Sequence, residues 1–135
     1  MTAILLMTHG RLGEELLAAA AHVLGALPSC VRALPVLPAQ SGEEVVAAAR
    51  SALADIGPRE GGVIFCDIFG ATPCNAATRL AREANLRVVA GVSLPMLVKA
   101  LTLAAEHPQR IVDEALKAAQ RGQVDIAAGV AHGDA

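Results

Sequence analysis

Gly62-Val63-Ile64-Phe65-Cys66-Asp67-Ile68-Phe69-Gly70-Ala71-Thr72-Pro73 reads as a buried strand, a glycine-containing turn and the start of a helix. The run from Gly62 to Cys66 shows no polar alternation, as in parallel strands covered on both faces. Asp67 follows it, Gly70 permits a tight backbone, and Thr72-Pro73 reads as an N-cap followed by N1. At N1 a proline's missing N–H costs nothing. Ala3 to Met7 is a second run of the same kind, and Thr8-His9-Gly10-Arg11-Leu12-Gly13 is the loop after it. Two such strands in one parallel sheet bring His9 and Asp67 together at its C-terminal edge. Open α/β sheets hold their ligands at that edge.

The rest of the chain repeats this alternation. After the first loop, Leu16, Leu17, Ala20, Val23, Leu24 and Leu27 fall on one helical face, and Pro28 ends the helix. Val31 to Leu37 is a second strand, placed at a sheet edge because Pro35 lacks a ladder donor. Ser41-Gly42-Glu43-Glu44 is a capping box. It opens a helix with the inner stripe Val45, Val46, Ala49, Leu53 and Ile56, stopped by Gly57-Pro58. The helix from Pro73 runs to about Ala84 with Ala76, Ala77, Leu80 and Ala81 inward and Asn85 as a left-handed cap. Arg87 to Val92 is the fourth strand.

Pro95 starts a helix from Met96 to about Glu106 that is apolar nearly all round, so it needs cover on more than one side. A subunit interface would supply the second cover. Pro108 begins the last helix, with Ile111, Val112, Ala115, Leu116 and Ala119 inward and Gly122 at its end. Val124 to Val130 reads as a short strand, and the tail beyond as loose. Strand–helix alternation predicts one doubly wound α/β domain over residues 1–122, a mostly parallel sheet with helices on both faces. Residues 123–135 would add an edge strand and tail.

Composition narrows the function. The 135 residues suit one domain, and the 54% apolar fraction comes from Ala, Leu and Val, with two Phe and no Trp or Tyr. A net charge of −2 gives no basic face for nucleic acid. No run approaches the about eighteen apolar residues of a membrane span, and the N-terminus lacks the basic start of a signal peptide. Three Cys without a CxxC argue against a disulfide framework and for a reducing compartment, so the cytoplasm is expected. There is no GxGxxG and no P-loop, so no nucleotide cofactor is implied. His9, Cys66, Asp67 and Cys74 match no zinc spacing, and no metal is expected.

The chemistry centres on His9. Neutral imidazole is nucleophilic and titrates near working pH, which suits reversible group transfer. It needs a partner that fixes its tautomer, as the Asp of a Ser-His-Asp triad does, and Asp67 is the candidate. Taken singly, His9 is an ordinary polar loop residue and Asp67 an ordinary turn former; their shared sheet edge sets them apart. The segment Phe69, Gly70, Ala71, Thr72 ends at a helix N-terminus, which favours an anion such as a phosphoryl group. Thr72 either caps the helix or donates to a phosphoryl oxygen, and Asn75 either supports the site or is local structure. Gly10 lets a partner approach His9. Arg11 either neutralises developing charge or is solvated, and His22, His107 and His132 read as surface residues.

These residues resemble the enzyme IIA domain of the mannose family of the bacterial phosphoenolpyruvate-dependent sugar phosphotransferase system. The likeness runs from Ile4 to about Arg121. It rests on Thr8-His9-Gly10, on Asp67-Ile68-Phe69-Gly70-Ala71-Thr72-Pro73-Cys74-Asn75-Ala76-Ala77 and on Gly91-Val92-Ser93-Leu94-Pro95-Met96-Leu97, in that order. The resemblance implies that His9 accepts a phosphoryl group from a phosphohistidine on the small phosphocarrier protein. His9 would pass it to a histidine or cysteine of a IIB domain or permease complex, the chain's only link to a membrane. It also implies that Asp67 holds one ring nitrogen while Nε2 is phosphorylated. The implied fold has strand order 2-1-3-4 plus an antiparallel edge strand, which Val124 to Val130 would supply, and a homodimer is expected. Arg11 departs from the aromatic or small residue common in transport members, and the chain stops soon after the domain with no fused IIB. Two other readings use the same residues: a regulatory module whose partners respond to His9 phosphorylation, and the phosphoryl-donor subunit of a dihydroxyacetone kinase.

Overall fold

The computed structural model describes residues 1–57, 61–82 and 86–131. β1 (Ala3–His9) lies between β2 (Val31–Val36) and β3 (Gly62–Cys66), and β4 (Leu86–Val89) flanks β3. The pairings are all parallel, giving the expected order β2-β1-β3-β4. Ile4 stands opposite Val31 on one side and Val63 on the other, and Met7 stands opposite Cys66. Ile4 through Met7 and Val63 through Cys66 are fully buried, which accounts for their unbroken apolar runs. β2 is an edge strand, so Pro35 breaks no inner ladder.

Successive strand residues face opposite ways, and the two faces have separate cores. Ile4, Leu6, Val63 and Phe65 pack in one cluster with residues of α1 (Leu12–Leu24), α4 (Leu94–Thr102) and α5 (Pro108–Arg121). Leu5, Met7 and Ile64 pack in the other with α2 (Gly42–Ile56) and α3 (Thr72–Ala81). α2 opens on the expected capping box: Ser41 Oγ accepts from Glu44 N–H and Glu44 Oε1 accepts from Ser41 N–H, both at 3.1 Å. Its inner stripe is as read, with Val45, Val46, Ala49 and Ile56 buried.

Several expectations change. Val124 to Val130 is not an edge strand: Ile126–Ala131 forms a short helix, α6. The alanines there favour a helix, and a short apolar run cannot by itself distinguish helix from strand. Among the described residues the sheet therefore has no antiparallel strand. α4 packs against both α1 and α5 of its own chain. Its apolar girth thus needs no subunit interface. α1 ends earlier than Pro28, at Gly25, whose left-handed backbone (φ 86°) lets its N–H reach Ala21 O. β4 ends at Val89 rather than Val92 because Gly91 (φ 80°) turns the chain over the end of β3. Thr72 is the first helical residue of α3 and Ala71 its N-cap, with no side-chain cap bond. Pro58, Ala84 and Asn85, expected at helix ends, lie outside the described residues.

The capping box gives a direct check. Ser41→Ala removes the bond to Glu44 N–H from an exposed helix start, so stability should fall by about 1 kcal/mol. Urea unfolding should show a lower midpoint and an unchanged slope.

Candidate active site

β1 runs two residues beyond its apolar stretch, because Thr8 and His9 continue the ladder opposite Pro35 and Val36. His9 is therefore the last residue of a strand rather than a loop residue. Thr8 points inward and is fully buried, and its Oγ1 accepts from Gly13 N–H at 2.8 Å. That bond fixes the start of α1 against β1. A Cβ on Gly13 would stand 3.1 Å from Thr8 Oγ1 and 3.3 Å from Leu6 Cβ, so the glycine permits the close approach. Gly10 then turns the chain with φ 51° and donates its N–H to Val36 O at 3.0 Å.

Asp67 is the first residue past β3. Its carbonyl accepts from Gly91 N–H at 2.9 Å, and that of Cys66 accepts from Val92 N–H at 3.1 Å. The chain after β4 thus pins the backbone that carries the carboxylate. Asp67 Oδ2 accepts from His9 N–H at 2.8 Å and lies 2.9 Å from His9 Nδ1, while Oδ1 accepts from Ile68 N–H at 2.9 Å. The Asp67 side chain is 8% exposed and that of His9 52%. Burial alone would push the Asp67 carboxyl up. The bonds from His9 N–H, the His9 ring and Ile68 N–H outweigh it and hold the group below the ordinary aspartate range. An ionised carboxylate only accepts, so Nδ1 carries a proton, and in the neutral ring Nε2 keeps its lone pair.

The turn after Asp67 shapes the other wall. Ala71 N–H donates to Ile68 O at 3.2 Å, and Gly70 sits at its third position with φ 88°, where a positive φ is required. Asn75 Nδ2 donates to Gly70 O at 3.1 Å, so Asn75 supports the turn. Phe69 at the tip is 88% exposed and Ile68 61%. Thr72 has no capping duty and lines a hollow of about 280 Å³ with His9, Gly10, Val36, Leu37 and Gln40. Its N–H is among those that α3 leaves without an intrahelical partner.

Arg11, the N-cap residue of α1, is exposed and tied to Glu15 at 3.5 Å, and it does not line the hollow. His22 and His107 are exposed, as expected, and His132 lies outside the described residues. The expectation against disulfides is overturned: Cys66 and Cys74 are joined. Cys66 faces away from Asp67 on the strand end, and the first turn of α3 comes back over it. Among the described residues no three His, Cys, Asp or Glu groups cluster as metal ligands.

The sequence shows Thr8 and Gly91 only as members of motifs, without their bracing roles, and does not show Gln40 at all. Gln40 Oε1 accepts from Leu37 N–H at 2.8 Å and so braces the loop beside the hollow. The sole cues were a polar residue inside an apolar strand for Thr8 and a glycine after a strand for Gly91. Gln40 gave none.

The family model for the PTS system fructose IIA component, EIIA-man, matches residues 3–120. The chain belongs to this family. It is 32% identical over 107 residues to the PTS system mannose-specific EIIAB component of Escherichia coli (strain K12), which covers 78% of this chain and 33% of that relative. The chain thus spans about a third of the length of the curated relatives it matches. The mannose/sorbose-specific IIA subunit from Enterococcus faecalis superposes with a TM-score of 0.82 at 26% identity, covering 91% of this chain and 92% of its own. The phosphotransferase system component EIIA from Streptococcus agalactiae shares the fold with a TM-score of 0.85 at 23% identity, covering 95% and 99%. Among the described residues no helix is long and apolar enough to cross a membrane.

The Asp67 contacts set a pH dependence. Its native value lies below that of the unfolded chain, so its stabilisation is complete above the unfolded value and is lost as pH falls through the native one. The stability gap between wild type and Asp67→Asn should shrink as pH falls below the ordinary aspartate range. Urea titrations of both proteins across acid pH would measure it.

Proposed function

We propose that His9 accepts a phosphoryl group from a phosphohistidine on the phosphocarrier protein and passes it to a IIB domain. The observation that carries this reading is the double hold of Asp67 Oδ2 on the His9 backbone and on Nδ1, which makes Nε2 the free nitrogen of the neutral, half-exposed ring. Nε2 attacks phosphorus, the donor's P–N bond breaks, and its electron pair returns to the donor ring. The positive charge gained by the His9 ring is balanced by the Asp67 carboxylate. Transfer onward reverses these steps with the acceptor as nucleophile. A loose phosphoryl transition state needs mainly positioning and charge stabilisation. The Thr72 N–H and hydroxyl, at the positive end of α3, are placed to meet phosphoryl oxygens.

A protein donor and acceptor are supported by Ile68 and Phe69, exposed apolar residues on the turn next to Asp67. Such side chains are suited to the dry centre of a docking surface. Membership in the sugar phosphotransferase family favours this reading over a stand-alone regulatory module or a dihydroxyacetone kinase donor. We assign the carrier domain to residues 1–122 and place it in the cytoplasm, where its partners' phosphohistidines would be found, with a membrane met only through a permease complex. A homodimer draws no support from α4, which is covered within the chain.

Intact-protein mass spectrometry after incubation with phosphoenolpyruvate, enzyme I and the phosphocarrier protein tests the assignment. Wild type should gain one acid-labile phosphoryl group and His9→Ala none; an equal gain in His9→Ala would refute it. Asp67→Ala should fold and be phosphorylated roughly a hundredfold more slowly. Phe69→Ala should raise the phosphocarrier concentration needed for half-maximal rate and leave the maximal rate unchanged.

A further inference from the structure

We propose that Cys66 and Cys74 form a reversible disulfide site, and that the bond clamps the segment between them. Cys66 is the last residue of β3, Cys74 lies in the first turn of α3, and their sulfurs are joined. The ring so closed contains Asp67, the turn Ile68–Ala71 and Thr72, all the residues that reach the His9 region from this side. β3 and α3 are each fixed by core packing. Asp67 is held by His9 and Gly91, whereas the turn beyond it is held by its own Ala71–Ile68 bond and by Asn75, and its tip is exposed. The disulfide is therefore dispensable for the fold, and its effect falls on the local openings of the segment.

The surroundings favour exchange over a permanent bond. A groove of about 430 Å³ has both cysteines in its lining, with Phe69, Arg87 and Gln109. Both cysteines are buried, so exchange with a small thiol or disulfide requires a local opening of the segment between them. The third cysteine, Cys30, is a free thiol fully buried in the other core cluster.

The step balances with a low-molecular-mass disulfide such as glutathione disulfide. The Cys74 thiolate attacks one of its sulfurs, the S–S bond breaks, and one thiol leaves with a proton. Cys66 gives up its proton and attacks Cys74 Sγ, expelling the second thiol. Two protein thiols are oxidised and one external disulfide is reduced to two thiols; a dithiol reverses the exchange. Disulfides in reducing compartments are usually transient or redox-sensing. An effect on docking at Phe69 rests on the phosphoryl-transfer reading; the disulfide itself does not.

The full chain is equilibrated in glutathione disulfide or in dithiothreitol, then acid-quenched, unfolded, alkylated and mapped by mass spectrometry. Hydrogen–deuterium exchange is measured in parallel. The oxidised sample should yield a Cys66–Cys74 linked peptide with Cys30 alkylated. Its amides at 68–72 should exchange roughly tenfold more slowly than in the reduced sample. Cys74→Ser, or Cys66→Ser should the first fail to fold, should exchange at the reduced rate in both buffers. No linked peptide, or equal exchange of 68–72 in the two wild-type samples, overturns the proposal. Neither readout uses phosphoryl transfer, so a failure of His9 to be phosphorylated would be seen separately.

Discussion

A single carboxylate oxygen, Asp67 Oδ2, joins the ends of the two central strands by accepting from the backbone and lying against the ring of the same residue, His9. The backbone bond fixes where His9 sits, and the ring bond fixes how it turns and which nitrogen holds the proton. A nearly buried carboxylate is costly to ionise without partners. Here three donors supply them, from His9 N–H, the His9 ring and Ile68 N–H. The charge that orients the imidazole is thus maintained by the same contacts that hold the sheet edge together.

That bond depends on the register beneath it. Met7 lies opposite Cys66, so the two chains emerge from the sheet level with each other. Packing on both faces leaves little freedom to slip, since a one-residue shift would exchange the two cores. The flanking strands then brace the exit points. Val36 O receives Gly10 N–H on one side, and Gly91 N–H holds Asp67 O on the other. All four strands therefore contribute to placing one histidine, although only two carry its chemistry.

The surface around that histidine suits a group passed between proteins. The ring is half exposed, the adjoining hollow is small, and Phe69, the most exposed large apolar side chain among the described residues, stands on the turn that follows Asp67. The same turn is bracketed by Cys66 and Cys74. The firmly held carboxylate and the exposed tip of the turn are thus separated by a few residues.

Much of this was determined by the sequence alone. Unbroken apolar runs identify β1 and β3 as doubly covered strands, because burial on both faces removes the polar alternation. Pro35 puts β2 at an edge, Ser41 and Glu44 announce a helix start, and His9 and Asp67 lie at strand ends whatever the details of packing. These are local signals, set by backbone geometry and by the period of burial. The tertiary structure decided what depends on residues distant in sequence or on competing local choices. It made Thr72 the first helical residue because the Ile68–Ala71 turn leaves Ala71 extended before the helix. It covered α4 with α1 and α5, turned 126–131 into a helix, brought Gln40 beside the hollow at His9, and joined Cys66 to Cys74. A sequence records which side chains seek burial or a partner. Which partner each one meets is settled only when strands, helices and loops compete for the same space.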